Sequence, residues 1–261
     1  MNTSKNTPVI EIKNASITFG NFKAVKNVTT SIGKNEIRFF IGPNGAGKTT
    51  LLDAICGKNK LSEGNILYND GNKEYSLPKI KEHKIVELGI GRKFQAPSIF
   101  SGITIQENME LAVAGSKGLF SSIRGNITKD ERERIDDALN FVGLYDMKNE
   151  YPTKLSHGQK QWLEISMICV LKPKVMLLDE PVAGMGRRET EKTAELLRII
   201  KNDCSIIVVE HDMKFVKDVS TSVTVLHEGS ILCEGNIDDI QNNQQVIDVY
   251  IGRGGDKNAK N

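Results

Sequence analysis

Residues 36–56 read EIRFFIGPNGAGKTTLLDAIC, an apolar run of strand length, a glycine-rich loop, and a segment with helical spacing. The loop Gly42–Thr49, GPNGAGKT, fits the pattern GxxxxGK[ST] and stands in the context that pattern needs, with a strand before it and a helix after. Gly42, Gly45 and Gly47 allow a backbone geometry and a close approach that a Cβ would block, so successive N–H groups can point inward at a phosphate. Lys48 would neutralise the β- and γ-phosphates of a nucleotide, and the Thr49 hydroxyl would ligate Mg²⁺. The expected binding run is therefore Gly42, Pro43, Asn44, Gly45, Ala46, Gly47, Lys48, Thr49 and Thr50, with Gly57 closing the helix.

A second stretch completes the phosphate chemistry. KVMLLDEP, residues 174–181, is a continuous apolar run ending in two acids, which is the pattern of a parallel strand buried on both faces. Ligands of open α/β sheets bind at the carboxyl edge of such strands. Asp179 is placed to hold the metal through water, and Glu180 to polarise an attacking water as general base. SIIVVEH (205–211) and SVTVLHEG (222–229) repeat the strand type, and helical ETEKTAELLRIIK (189–201) separates the first two, as a parallel sheet requires.

Around these anchors the chain divides by pattern. EIKNASITF (11–19) and VKNVTTSI (25–32) read as further strands, and NILYND (65–70) followed by Gly71 and Asn72 as a hairpin. Beyond Phe94 helices take over: TIQE (104–107) and TKDE (128–131) both have the capping-box form. The expected organisation is a single domain over 1–261. Segments 8–94 and 166–251 form its nucleotide-binding core, 95–165 a helical insert and 252–261 a tail. The formal charge of +2, from 35 basic and 33 acidic residues, shows no basic excess of the kind that tracks nucleic acid, so none is expected as a partner. Cys56, Cys169, Cys204 and Cys233 lack CxxC spacing and read as small buried hydrophobes in a reducing compartment. No apolar run approaches the roughly 18 residues that cross a bilayer, and MNTSKNTP has no signal-peptide character. A cytoplasmic location follows as an expectation, with membrane attachment through a partner.

LSHGQ (155–159) precedes another helical run, KQWLEISMICVL, so Ser156 and the first N–H groups there form an anion-binding corner. GPNGAGKT, LSHGQ, LLDEP and VVEHD stand in one order along nearly the whole chain, and together they resemble the ATP-binding subunits of ABC transporters. The resemblance implies a P-loop NTPase (RecA-like) α/β fold: a mainly parallel sheet core, an N-terminal antiparallel β subdomain and an inserted α-helical subdomain. It implies an ATPase using ATP and Mg²⁺. It also implies that LSHGQ, through Ser156, Gly158 and Gln159, binds the γ-phosphate of ATP held by a second ATP-binding subunit, a copy of this chain or a related sister chain, in a head-to-tail homo- or heterodimer. Gln95 in GRKFQAP matches the glutamine that touches Mg²⁺ and the attacking water, and His211 matches the histidine that senses the γ-phosphate. Phe19 in ITFGNFKAV sits where an aromatic ring stacks on adenine; Phe22 competes for that role, and either ring would also fit a core position. Two departures stand out: His157 replaces the usual Gly, and PVAGMGRRE after Glu180 has no Asp at the expected place.

Within the family, GIGRKFQAP, LSHGQKQWLEI, DEPVAGM, VEHDM, VTVLHEGSILCEG and VIDVYIGR are similar to the branched-chain amino acid importer class, and more narrowly to subunits that energise urea import. That likeness implies integral membrane permease subunits, a periplasmic or lipid-anchored substrate-binding protein, and a peripheral position on the inner face of the plasma membrane. APSIFSGIT (96–104) is the expected dock for a permease helix, because Ile99 and Phe100 are apolar. Branched-chain amino acids or short amides are the alternative cargo, and a non-transport ABC-type ATPase the alternative class.

Overall fold

The computed structural model describes residues 7–92, 99–115 and 127–251. Its first half carries β1 (Ile10–Phe19), β2 (Phe22–Ile32), β3 (Ile37–Ile41), α1 (Lys48–Ile55), β4 (Glu63–Asn69), β5 (Glu74–Ser76), α2 (Glu82–Glu87), β6 (Ile90–Arg92) and α3 (Ile105–Gly115). There follow α4 (Lys129–Val142), α5 (His157–Cys169), β7 (Val175–Asp179), α6 (Arg187–Ile200), β8 (Ser205–Val209) and α7 (Met213–Val219). The described chain closes with β9 (Ser222–His227), β10 (Ser230–Gly235), α8 (Ile237–Gln241) and α9 (Gln244–Ile251).

The strands form two sheets. β2-β1-β4-β5 is antiparallel, and β10-β9-β3-β8-β7-β6 is parallel from β9 to β6, with β10 antiparallel at its edge. The continuous apolar run of β7 is explained by its two buried faces. Val175 and Leu177 enter the cluster beneath α1 and the antiparallel sheet, while Met176 and Leu178 enter the cluster with α6 and α7. Successive strand side chains alternate faces, so a strand covered on both sides must be apolar throughout. β8 does the same, with Ile207 and Val209 on one side and Ile206 and Val208 on the other.

A third cluster holds the helices. α4 presents Ile135, Ala138, Leu139 and Val142 at helical spacing to α3 and α5, which supply Ile105, Met109, Val113 and Leu163. Both expected capping boxes form: Glu107 N–H donates to Thr104 Oγ1 at 3.2 Å and Glu131 N–H to Thr128 Oγ1 at 3.3 Å, with each Glu carboxylate accepting from its Thr N–H in return. Position 165 falls inside α5, whose Trp162 and Leu163 join the helical cluster while Ile165 and Ile168 join the sheet. The buried Trp162 Nε1–H donates to Thr193 Oγ1 at 2.9 Å and locks α5 to α6. The P-loop NTPase fold expected from the motifs is present, with its antiparallel and helical additions. The sequence patterns did not reveal α2, β6, α7, β10, α8 or α9, which are short or lack a clean apolar period.

All four cysteines are free, but only Cys56 and Cys204 are buried; Cys169 and Cys233 are half-buried, less enclosed than the sequence suggested. Desolvation pushes the Cys169 thiol up to about 12 and raises Cys204 as well. An unfolded thiol ionises near 8.5, so above that pH the folded chain holds more protons than the unfolded chain and stability falls as pH rises. We expect guanidinium unfolding midpoints to drop between pH 7.5 and pH 9.5. The slope for each such thiol should reach about 1.4 kcal/mol per pH unit, and replacing Cys169 and Cys204 with Ala should flatten it.

Candidate nucleotide-binding site

The phosphate loop leaves β3 at Ile41 and enters α1 at Lys48, with positive φ at Gly42, Gly45 and Gly47. Gly42 and Gly47 also have no room for a side chain: a Cβ would lie 2.0 Å from Leu226 O in the first case and 2.7 Å from Ala24 O in the second. At Gly45 a Cβ would meet nothing within 4 Å, so the middle of the loop faces open space. Lys48 is buried and its ammonium donates to Gly42 O at 2.8 Å and Pro43 O at 3.0 Å. Burial lowers its pKa, and the charges of Glu180 and Asp179 oppose that shift. Pro43, Asn44, Ala46 and Thr50 lie in the same loop and first helical turn.

Parallel pairing brings the acids to this loop. Phe40 pairs with Val209 and Val209 with Asp179, so the carboxyl ends of β3, β8 and β7 lie side by side. Thr49 Oγ1 donates to Asp179 Oδ1 at 3.4 Å. Asp179 is fully buried; desolvation raises its pKa, with Thr49 and Arg92 pulling it down and Glu180 and Asp53 pushing it up. Its other oxygen, Oδ2, has no hydrogen-bond partner among the described residues. Next in the chain, Glu180 has a left-handed backbone at φ 48, a conformation costly for a side chain other than Gly and common at functional sites. Its Oε1 lies 3.0 Å from His211 Nε2, and both side chains are partly exposed.

Two supports of this edge escaped the sequence reading. Glu210, which is buried, accepts from Val182 N–H at 3.1 Å and His211 N–H at 2.7 Å, joining the turn after Glu180 to the end of β8; desolvation raises its pKa. Arg92 at the end of β6 is the other. Its guanidinium ion-pairs with Asp53 of α1, donates to Cys56 Sγ at 3.0 Å and lies 3.9 Å from Asp179 Oδ2. Arg92 thus links the phosphate-loop helix to the acidic strand. The only sequence cue was an Arg at the end of a short apolar segment, and nothing in a linear pattern named Asp53 as its partner.

Ser156, Gly158 and Gln159 open α5, where Ser156 Oγ accepts from Gln159 N–H at 3.2 Å and Gln159 Oε1 accepts from Ser156 N–H at 2.9 Å. The hydrogen bonds of Ser156 and Gln159 run within this helix end, to Glu189 and to Met147, and none reaches the phosphate loop. The structure therefore brings together Lys48, Thr49, Asp179, Glu180 and His211 and leaves the LSHGQ corner outside that group. Phe19 and Phe22 face each other across the β1–β2 turn and are 50% and 66% exposed, so neither takes the core role considered for it. Gln95 lies outside the described residues.

These parts fit Mg²⁺ and a triphosphate. Thr49 and the unsatisfied Asp179 Oδ2 offer oxygens for a hard cation, and no group of three His, Cys, Asp or Glu among the described residues could hold a metal alone. Mg²⁺ takes few protein ligands and shares substrate phosphates, so Thr49 and Asp179 would suffice on the protein side.

A parallel sheet with this loop and acidic edge defines a P-loop NTPase. The family described as ABC transporter matches residues 25–183. The chain is 34% identical over 254 residues to the high-affinity branched-chain amino acid transport ATP-binding protein LivG of Escherichia coli, covering 94% of this chain and 98% of that one. It is 31% identical over 256 residues to BraF of Pseudomonas aeruginosa, named for the same transport, with the same coverage. Among solved structures, an ATP-binding cassette of an ABC transporter in its ADP conformation superposes with a TM-score of 0.84 at 26% identity, covering 94% of this chain and 99% of the other. A dimeric bacterial ABC transporter cassette superposes with a TM-score of 0.73 at 26% identity, covering 87% and 98%. The chain belongs to the ABC transporter family as an ATP-binding subunit, and its catalytic class is that of the ABC ATPases. No described helix is long and apolar enough to cross a membrane.

Arg92→Gln would leave the buried Asp179 without its nearest cation and Asp53 with only Lys58 at 3.8 Å, and should cost about 3 kcal/mol in guanidinium unfolding. Adding Asp53→Asn should recover part of that loss, with a coupling above about 1 kcal/mol in the double-mutant cycle.

Proposed function

We propose that this subunit energises an ABC importer by closing on ATP as a head-to-tail dimer and reopening after hydrolysis, and that the cargo is urea. The observation that carries the ATPase mechanism is the 3.0 Å contact between Glu180 Oε1 and His211 Nε2 at the strand edge that also holds Lys48, Thr49 and Asp179. Lys48 binds the β- and γ-phosphates, leaving the loop carbonyls it now contacts. Thr49, Asp179 and Gln95 would hold Mg²⁺, which would supply neutralising charge to the phosphates. Glu180 takes the proton of the attacking water and His211 holds that carboxylate while facing the γ-phosphate. Gly42 through Thr50 cradle the phosphates, and Phe19 stacks on adenine from its exposed turn.

The hydrogen bonds of Ser156 and Gln159 do not reach their own chain's phosphate loop, which supports the use of LSHGQ on the ATP of a second ATP-binding subunit through Ser156, Gly158 and Gln159. The segment 95–165 would act as the helical unit that carries this corner, against a core of 8–94 and 166–251 and a tail at 252–261. A cavity of about 370 Å³ lined by Ile99, Ser101, Pro152, Thr153, His157 and Lys160, beside the exposed Phe100, is the proposed seat of a permease segment. A substrate-binding protein and attachment to the inner membrane face complete the assembly. Urea rests on the likeness of GIGRKFQAP, LSHGQKQWLEI and DEPVAGM to urea-importer subunits. Branched-chain amino acids are the second reading, favoured by the names of LivG and BraF.

Glu180→Gln should bind ATP and hold the closed dimer while losing turnover; wild-type ATPase in that variant removes Glu180 from the mechanism. Lys48→Ala should weaken ATP binding, since a charge-assisted phosphate contact is lost; unchanged affinity counts against the loop assignment. In cells carrying Glu180→Gln, uptake of labelled urea at low concentration should fail while labelled leucine uptake persists. The reverse pattern moves the cargo to branched-chain amino acids, and no change in either removes the transport role.

A further inference from the structure

The anion-binding corner at the start of α5 already holds a carboxylate from its own chain. Ser156 Oγ donates to Glu189 Oε1 at 2.9 Å, while Glu189 Oε2 accepts from Gly186 N–H at 3.1 Å at the start of α6. A Cβ built on Gly158 would lie 2.5 Å from both Cδ and Oε1 of Glu189, so the carboxylate rests against the glycine backbone of LSHGQ. The Gly186 N–H holds the Glu189 carboxyl below the usual carboxylate range, followed by the Ser156 hydroxyl, with His157 and the Gly158 N–H contributing.

A hydroxyl has one proton to donate. Ser156 Oγ already accepts from Gln159 N–H in the capping box, and its proton goes to Glu189. The Ser156 hydroxyl and the Gly158 N–H are therefore committed to an internal anion. His157 Nε2 lies 2.9 Å from Ala183 O, tying the same corner to the segment that follows Glu180.

We propose that Glu189 is an internal stand-in for the partner's phosphate, occupying the Ser156 and Gly158 donors in the separate subunit and yielding them when the dimer closes. This rests on the reading that LSHGQ receives the γ-phosphate of a second subunit. The carboxylate competes for donors and repels the triphosphate, so removing its charge favours closure. A role limited to capping α6 has the opposite sign, because its loss loosens the corner.

The test is sedimentation velocity of the purified chain titrated with Mg²⁺-ATP, all variants carrying Glu180→Gln so that closed dimers persist. Glu189→Gln keeps an acceptor for Gly186 N–H and should lower the half-dimerising ATP concentration about 2- to 5-fold, the size of one exposed charge contact. Ser156→Ala tests the underlying reading separately and should raise that concentration. If Ser156→Ala raises it and Glu189→Gln leaves it unchanged or raised, the stand-in role is overturned while LSHGQ keeps its phosphate. If Ser156→Ala has no effect, the LSHGQ reading and the stand-in role both fall; if no variant dimerises with ATP, the stand-in role falls for this chain paired with itself. Should Glu189→Gln misfold, Glu189→Asp, which keeps the charge but shortens its reach, should also lower the concentration; an unchanged value would again overturn the role.

Discussion

The parallel pairing of β3, β8 and β7 brings their carboxyl ends to one edge, and Lys48, Thr49, Asp179, Glu180 and His211 depend on that alignment. Val209 sits between Phe40 and Asp179 in register, so the phosphate loop, the two acids and His211 emerge at one level. Burial of both strand faces fixes this register, because a slip of one residue would exchange the side chains that pack beneath α1 with those that pack against α6 and α7. Close packing holds the loop as well, since Gly42 and Gly47 sit against carbonyls of Leu226 and Ala24.

A buried polar layer translates that alignment into positions. Arg92 spans from α1 to β7, and Glu210 fastens the turn after Glu180 to the end of β8. Each is costly to bury and stable only with its partners in place, so the layer resists any shift of one element alone. The left-handed Glu180 backbone persists inside this frame. At the far corner, the Glu189 and His157 contacts give the start of α5 a second connection to the same segment.

GPNGAGKT, the apolar run of β7 with its terminal acids and the two Thr-Glu caps were legible because each is a local pattern with a local physical cause: a turn that needs glycine, a strand buried on both faces, a helix end that needs acceptors. The family likeness of LSHGQ and VVEHD supplied candidates that periodicity could not, since a lone Ser or His has no local signature. The exposure of both Phe19 and Phe22 was open in the sequence, because a strand-end aromatic suits a core as well as a surface.

By itself, the sequence determined the fold class, the phosphate loop and the acidic strand end, because these follow from the order of residue types along one segment. Only the tertiary structure decided that Arg92 meets Asp53 and Asp179, that Glu210 bridges two loops, and that Glu189 occupies the Ser156 corner. Those contacts join residues far apart in the chain, and their partners are selected by how the sheet and helices pack, which no short window of sequence encodes.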